Sequence, residues 1–141
     1  MHQSGEKHVE SLQNNYEKAG VNAQVLPFIG DMASAYSTAD LVICRAGAMT
    51  IAEVSACGVA SYLIPFPYAV DDHQTSNAAF LEQHGAAQLM PQAHFSAESL
   101  AQYLQIITRD ALLEMAKNAL SLAKPFATAR VAQVCKEMGT L

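Results

Sequence analysis

Between Leu41 and Asn77 the chain passes from an apolar strand into a glycine turn, a helix with one carboxylate, a second strand and an amide-rich loop. The run comprises Leu41 to Cys44, Arg45-Ala-Gly47, Ala48 to Glu53, Ser61 to Phe66 and Asp72 to Asn77. That succession restricts the fold sharply. Strands that alternate with helices pair in parallel, because each helix supplies the crossover that a parallel pair requires. Open sheets of this kind bind ligands beyond the carboxyl ends of their strands, where helix N-termini point free N–H groups outward.

The same alternation extends along nearly the whole chain. Helices are predicted over Ser4 to Lys18 with Gly20 as stop signal, Met32 to Thr38 with Asp31 as N-cap, Ala48 to Cys57 closed by Gly58, and His73 to His84 ended by Gly85. Strands are predicted over Ala23 to Ile29, Leu41 to Cys44 (fully buried), Ser61 to Pro65 and Ala87 to Met90. Three further helices close the chain: Glu98 to Ile107, Ala111 to Leu122 and Ala127 to Met138. The expectation is an α/β fold, a Rossmann-like parallel sheet with helices on both faces, forming one domain over residues 1–141. The start departs from the usual plan: His2 to Gly5 suits the turn after a strand, yet no strand precedes it.

With 51% hydrophobic residues and 15% charged ones, the chain reads as a packed globular body. A net charge of −5 without any Lys/Arg cluster provides no footprint for nucleic acid. The longest nearly apolar stretch, Val59 to Val70, holds two prolines and is shorter than the ~20 residues a spanning helix needs. The first residues lack an apolar signal-peptide core, so the expected location is cytoplasmic. Cys44, Cys57 and Cys135 fit neither a disulfide framework nor a zinc template, and Cys44 and Cys57 read as small buried hydrophobes. No His pair has metal-ligand spacing, so no metal is expected, and no cofactor is expected either.

Several residues point to binding chemistry. Gly47 and the amides of Ala48, Met49 and Thr50 form a helix N-terminus suited to an anion or a sugar hydroxyl, or else an ordinary turn. Arg45 stands at a strand's carboxyl end, where an anion would bind; the alternative is an ion pair with Glu53 or Asp40. Glu53, amid small apolar neighbours, either accepts from a sugar diol or lies on a solvated face. Gln74 and Asn77 share one helix face and carry amides that both donate to and accept from hydroxyls, with His73 beside them. Asp71 and Asp72 would supply plain N-capping there. Phe28 and Ile29 end a strand where an aromatic and backbone groups could hold a flat base, although pattern alone puts Phe28 in the core. There is no Walker loop, GxGxxG, GxSxG or glycosidase carboxylate pair, and nothing identifies a general base.

Taken together, the stretches Phe28 to Met32, Ala39 to Glu53, Pro65-Phe66 with Asp72 to Asn77, and Gly85 to Ala87 resemble the carboxyl-terminal half of the MurG family of peptidoglycan N-acetylglucosaminyltransferases. The resemblance covers essentially the whole chain. It implies the donor-binding domain of a GT-B glycosyltransferase, truncated at its amino end, with UDP-N-acetylglucosamine as ligand. Phe28 and Ile29 would then hold the uracil and Glu53 the ribose. Arg45, Gly47 and the Ala48, Met49 and Thr50 amides would lie by the diphosphate and sugar, and His73, Gln74 and Asn77 would read the sugar hydroxyls.

The resemblance also implies transfer to lipid I, giving lipid II, with inversion at the anomeric carbon and on the cytoplasmic face of the inner membrane. The family's glycine-rich phosphate loop lies before the point where this chain begins. The acceptor would be met only through an amino-terminal domain, which would also supply the base, so the expectation is no catalytic residue here and inactivity alone. Self-association through the exposed interdomain face is a further expectation. Two alternatives stand beside this one: half of a split two-chain glycosyltransferase, and a non-catalytic α/β interaction domain with a vestigial pocket.

Overall fold

A computed structural model describes residues 1–139, and they divide into two compact units, Met1–Ala35 and a larger one beginning at Tyr36. In the first, a two-residue strand β1 (His2–Gln3) pairs in parallel with β2 (Val25–Leu26). This corrects the expectation that the opening strand is missing. His2–Gln3 is itself the strand, and its partner lies more than twenty residues away, so no local signal marks it. Gly5 then turns the chain at φ 75°, a conformation that costs an L side chain energy, into a short 3-10 segment, Glu6–His8. The helix proper, α1, begins only at Val9 and ends at Lys18. The strand predicted over Ala23 to Ile29 is confined to Val25–Leu26 because Pro27 has no N–H for a ladder. At the start of α2 (Met32–Thr38), the Asp31 carboxylate accepts from the Ser34 N–H at 3.0 Å, the expected N-cap.

The second unit is built on three parallel strands in the order β3 (Val42–Cys44), β4 (Ser61–Leu63), β5 (Ala87–Leu89). Val42 pairs with Ser61 and Ser61 with Ala87, so all three strands point the same way. Helices α3 (Ala48–Cys57) and α4 (His73–Gln83) make the crossovers, followed by α5 (Ala97–Ile106), α6 (Arg109–Ser121) and α7 (Ala127–Met138). The two glycine stops expected in this unit hold: Gly58 caps α3 in the left-handed region (φ 61°), and Gly85 follows α4 at φ 64°.

The core gathers on β4, whose three residues are all buried, and on Val54 of α3 and Leu81 of α4. Burying Leu63 and Leu81 contributes roughly 1.5–3 kcal/mol each before chain entropy is counted. Tyr62 meets Tyr103 of α5 at 4.8 Å between ring centroids. Parallel strands flanked by helices therefore stand as expected.

Two burial expectations, for β3 and for the cysteines, do not. Ile43 in β3 is 43% exposed and its neighbours are only partly buried, so the strand is not buried. Cys57 is exposed and Cys44 only partly buried. α7 has no buried residue, and Phe126, Val131, Val134 and Met138 stand exposed on or beside it. Among the described residues no helix is long and apolar enough to cross a membrane.

Candidate functional site

Parallel register brings the segments after β3, β4 and β5 to one edge of the sheet, and Arg45 ties them together. Its guanidinium donates to the carbonyls of Ile64 and Pro65, both at 3.2 Å, and to Gln92 Oε1 at 2.6 Å. It also lies over the Phe66 ring, 5.5 Å from the centroid. Neither ion pair considered for Arg45 forms, since Asp40 is engaged by Arg109 at 2.8 Å and Glu53 by a tyrosine. All three bonds leave from one guanidinium nitrogen, Nη1, whose two hydrogens the three acceptors share.

Two amides fasten the same edge. Gln74 Oε1 accepts from the Phe66 N–H at 3.0 Å, and Asn77 Nδ2 donates to the Ala46 carbonyl at 3.0 Å. Each residue expected to read hydroxyls thus spends one end of its amide on the backbone, leaving the other end to be directed outward. His73, beside them, is exposed. Asp72 does not cap α4 in the ordinary way: its carboxylate accepts from the Thr75 hydroxyl at 2.6 Å rather than from a backbone N–H. Asp71 and Asp72 both have positive φ (53° and 50°), two successive left-handed residues without a glycine.

Helix α3 opens at this edge. Its first bond runs from the Ile51 N–H to the Gly47 carbonyl, so the amides of Ala48, Met49 and Thr50 have no helical acceptor, and no side chain caps them. Gly47 adopts φ −64°, ψ 150°, which any residue can adopt. A Cβ there would meet Thr50 Oγ1 at an ordinary 3.8 Å. Neither backbone conformation nor internal packing requires glycine, so what its bare Cα preserves is open space over the amides.

Glu53 lies two turns along α3, half-buried, and its Oε2 accepts from the Tyr36 hydroxyl at 3.1 Å. Burial first, and then this carboxylate, push the tyrosine's pKa far above its ordinary value, so its proton stays in place. Sequence reasoning missed Tyr36 as a partner. The only available signal was an apolar-looking tyrosine in a short helix.

In the first unit Phe28 is 72% exposed, which overturns its placement in a core. The Ile29 N–H donates to Gln3 Oε1 at 2.8 Å. Within the second unit a cavity of about 350 Å³ lies at the other, amino-terminal end of β3 and β4, lined by residues that include Asp40, Gly58, Ala60, Arg109 and Leu113. It is not where the sequence-predicted residues gather. No cluster able to hold a metal ion occurs among the described residues.

The model of the glycosyltransferase family 28 C-terminal domain matches residues 1–137. The UDP-N-acetylglucosamine--N-acetylmuramyl-(pentapeptide) pyrophosphoryl-undecaprenol N-acetylglucosamine transferase of Paraburkholderia phymatum is 58% identical over 139 residues, covering 96% of this chain and 37% of that protein. The enzyme of the same name from Aromatoleum aromaticum is 57% identical over 137 residues, covering 97% of this chain and 38% of its own length. A crystal structure of Acinetobacter baumannii MurG superimposes with a TM-score of 0.91 at 47% identity, over 96% of this chain and 42% of that one. The chain therefore spans well under half the length of the proteins it matches.

Proposed function

This chain belongs to the glycosyltransferase family 28 C-terminal domain family, and from that membership we propose that residues 1–141 are the donor-binding domain of an inverting N-acetylglucosaminyltransferase. Its donor would be UDP-N-acetylglucosamine, and the reaction, carried out with an acceptor-binding partner domain, would turn lipid I into lipid II at the cytoplasmic face of the inner membrane. One observation carries the reading: a helix opens with three uncommitted amides over a side-chain-free Gly47, and the same helix presents the oriented carboxylate of Glu53.

The chemistry of each group follows from its atoms. The amides of Ala48, Met49 and Thr50, with the helix dipole behind them, attract the diphosphate and stabilise charge on it as UDP departs. Glu53 accepts hydrogen bonds from the ribose hydroxyls. Gln74 and Asn77, each anchored at one amide end, offer the other to the sugar, and His73 stands beside them. Arg45 contributes positive charge near the diphosphate while its donors hold the surrounding loops. Phe28 and Ile29 take the uracil by stacking and backbone hydrogen bonding, which requires the Ile29 N–H to exchange Gln3 for the base. The acceptor hydroxyl would attack the anomeric carbon from the side opposite UDP, with a base supplied from outside this chain. Alone, the chain would bind donor without transferring it, and its exposed faces would favour self-association at high concentration, which size-exclusion chromatography tests.

Calorimetric titration with UDP-N-acetylglucosamine tests the central claim. Binding by the unsubstituted chain that falls at least tenfold in Glu53→Ala is the expected result. Equal affinity in both would remove Glu53 from the site, and no binding of any uridine nucleotide would overturn the reading.

A further inference from the structure

Glu53 is an unusual carboxylate for this unit. It sits in a helix whose other residues are small or apolar, and it forms no ion pair among the described residues: Arg45 is held by Ile64, Pro65 and Gln92, and Arg109 by Asp40. Its one hydrogen bond among the described residues comes from Tyr36, 7% exposed on α2, to Oε2. We propose that Tyr36 is a positioning residue, which locks the Glu53 carboxylate through Oε2 so that Oε1 is presented, already oriented, to a vicinal diol. The proposal rests on the donor-site reading above, which it refines.

The last torsion of a glutamate is broad and shallow, so an unrestrained carboxylate must lose that freedom when it binds. A buried phenol turns on only two torsions and is held by its packing, so a bond from it removes the freedom before ligand arrives. The bond is charge-assisted and directional. Because burial and the neighbouring carboxylate both hold the tyrosine proton in place, the donor persists across the pH range in which a nucleotide would be bound. A purely structural role makes a different claim: Tyr36 would fill space, and its bond to Glu53 would only satisfy a buried hydroxyl.

Comparing ligands with and without the diol separates the two. Affinities of the unsubstituted chain and of Tyr36→Phe are measured for UDP and for 2′,3′-dideoxyuridine diphosphate. Phe keeps the ring, and the solvent-accessible Glu53 can rehydrate, so the variant retains the fold, as thermal melting checks. We expect a five- to tenfold loss of affinity for UDP and less than a twofold change for the dideoxy compound. Equal losses for both ligands, or none, would overturn the proposal. In the unsubstituted chain carrying carbon-13 at the tyrosine ζ position, the Tyr36 signal is expected to shift with UDP and stay put with the dideoxy analogue; a signal indifferent to UDP would also overturn it. Glu53→Ala serves as reference: if it binds UDP as well as the unsubstituted chain does, the donor-site reading fails, whereas loss there with an unaffected Tyr36→Phe sinks only the positioning role.

Discussion

Arg45 and Gln92 meet at 2.6 Å, joining the segment after β3 to the segment after β5 across the end of β4. Since the same guanidinium holds the Ile64 and Pro65 carbonyls, one side chain braces three loops. Replacing it by alanine strands two carbonyls and an amide. Arg45→Ala is expected to cost about 1–3 kcal/mol of stability, and Arg45→Lys to recover only part of it, because the shorter lysine stem has no planar group to lie over Phe66 while reaching the same acceptors. Urea denaturation measures both; a lysine variant as stable as the unsubstituted chain would remove the geometric argument.

Gly47→Ala separates binding from folding. Alanine is the poorer N-cap, but it also restricts the unfolded chain, and the two effects offset to within about 0.5 kcal/mol. The added methyl would intrude on the space above the Ala48, Met49 and Thr50 amides. Unchanged melting with at least fivefold weaker UDP-N-acetylglucosamine binding is the expected pairing. Full affinity in this variant would show that the ligand does not approach there.

Gly58→Ala should do the reverse. Here φ is +61°, and a Cβ would lie 3.0 Å from Leu120 Cβ on α6. Strain and collision together predict a loss of about 1–3 kcal/mol. This cap lies at the far end of α3 from Gly47, so affinity in the folded fraction is expected to stay the same. Thermal melting and titration on one sample check both halves.

Tyr62 is fully buried, and its hydroxyl has no hydrogen-bond partner among the described residues; the hydroxyl of Tyr103, a half-buried residue against it, likewise has none. Removing a buried unsatisfied hydroxyl while keeping its ring removes a desolvation cost. Tyr62→Phe is expected to be neutral or to stabilise by up to about 1 kcal/mol, and a clear loss in denaturant midpoint would reveal a partner for that oxygen.

Burial pushes the Cys44 thiol up to about 11 from an ordinary 9.0. Between those values the unfolded chain has released a proton that the folded chain keeps. Stability is therefore complete below pH 9 and falls as pH rises towards 11, by roughly 2 kcal/mol from this group. Tyr36, raised in the same direction, adds to the decline above pH 10. Denaturation curves from pH 8 to 11 should be flatter for Cys44→Ala. At neutral pH, alkylation is expected at Cys57 and Cys135 well before Cys44.

The alternation of strands and helices after β1, the Gly58 and Gly85 stops, the Asp31 cap and the location of Glu53 on an opened helix were all legible in the residues, because each depends on neighbours a few positions away. Periodicity and turn chemistry act at that range. What lay beyond it was decided by pairing across long loops. β1 exists because Val25–Leu26 lies alongside it, and Ile43 is exposed because no neighbouring element covers its side chain, which the strand's own residues cannot reveal. Cys57, read as buried from its apolar helix, faces outward because only one side of α3 reaches the core, and Phe28 stands exposed where its apolar setting suggested burial. The Arg45 brace reaches 47 residues to Gln92, and the Tyr36 bond spans 17 to Glu53. Local sequence determines which chemical groups are present and on which kind of element. Only the folded chain determines which of them share a hydrogen bond, because those distances arise from packing between elements that the sequence separates.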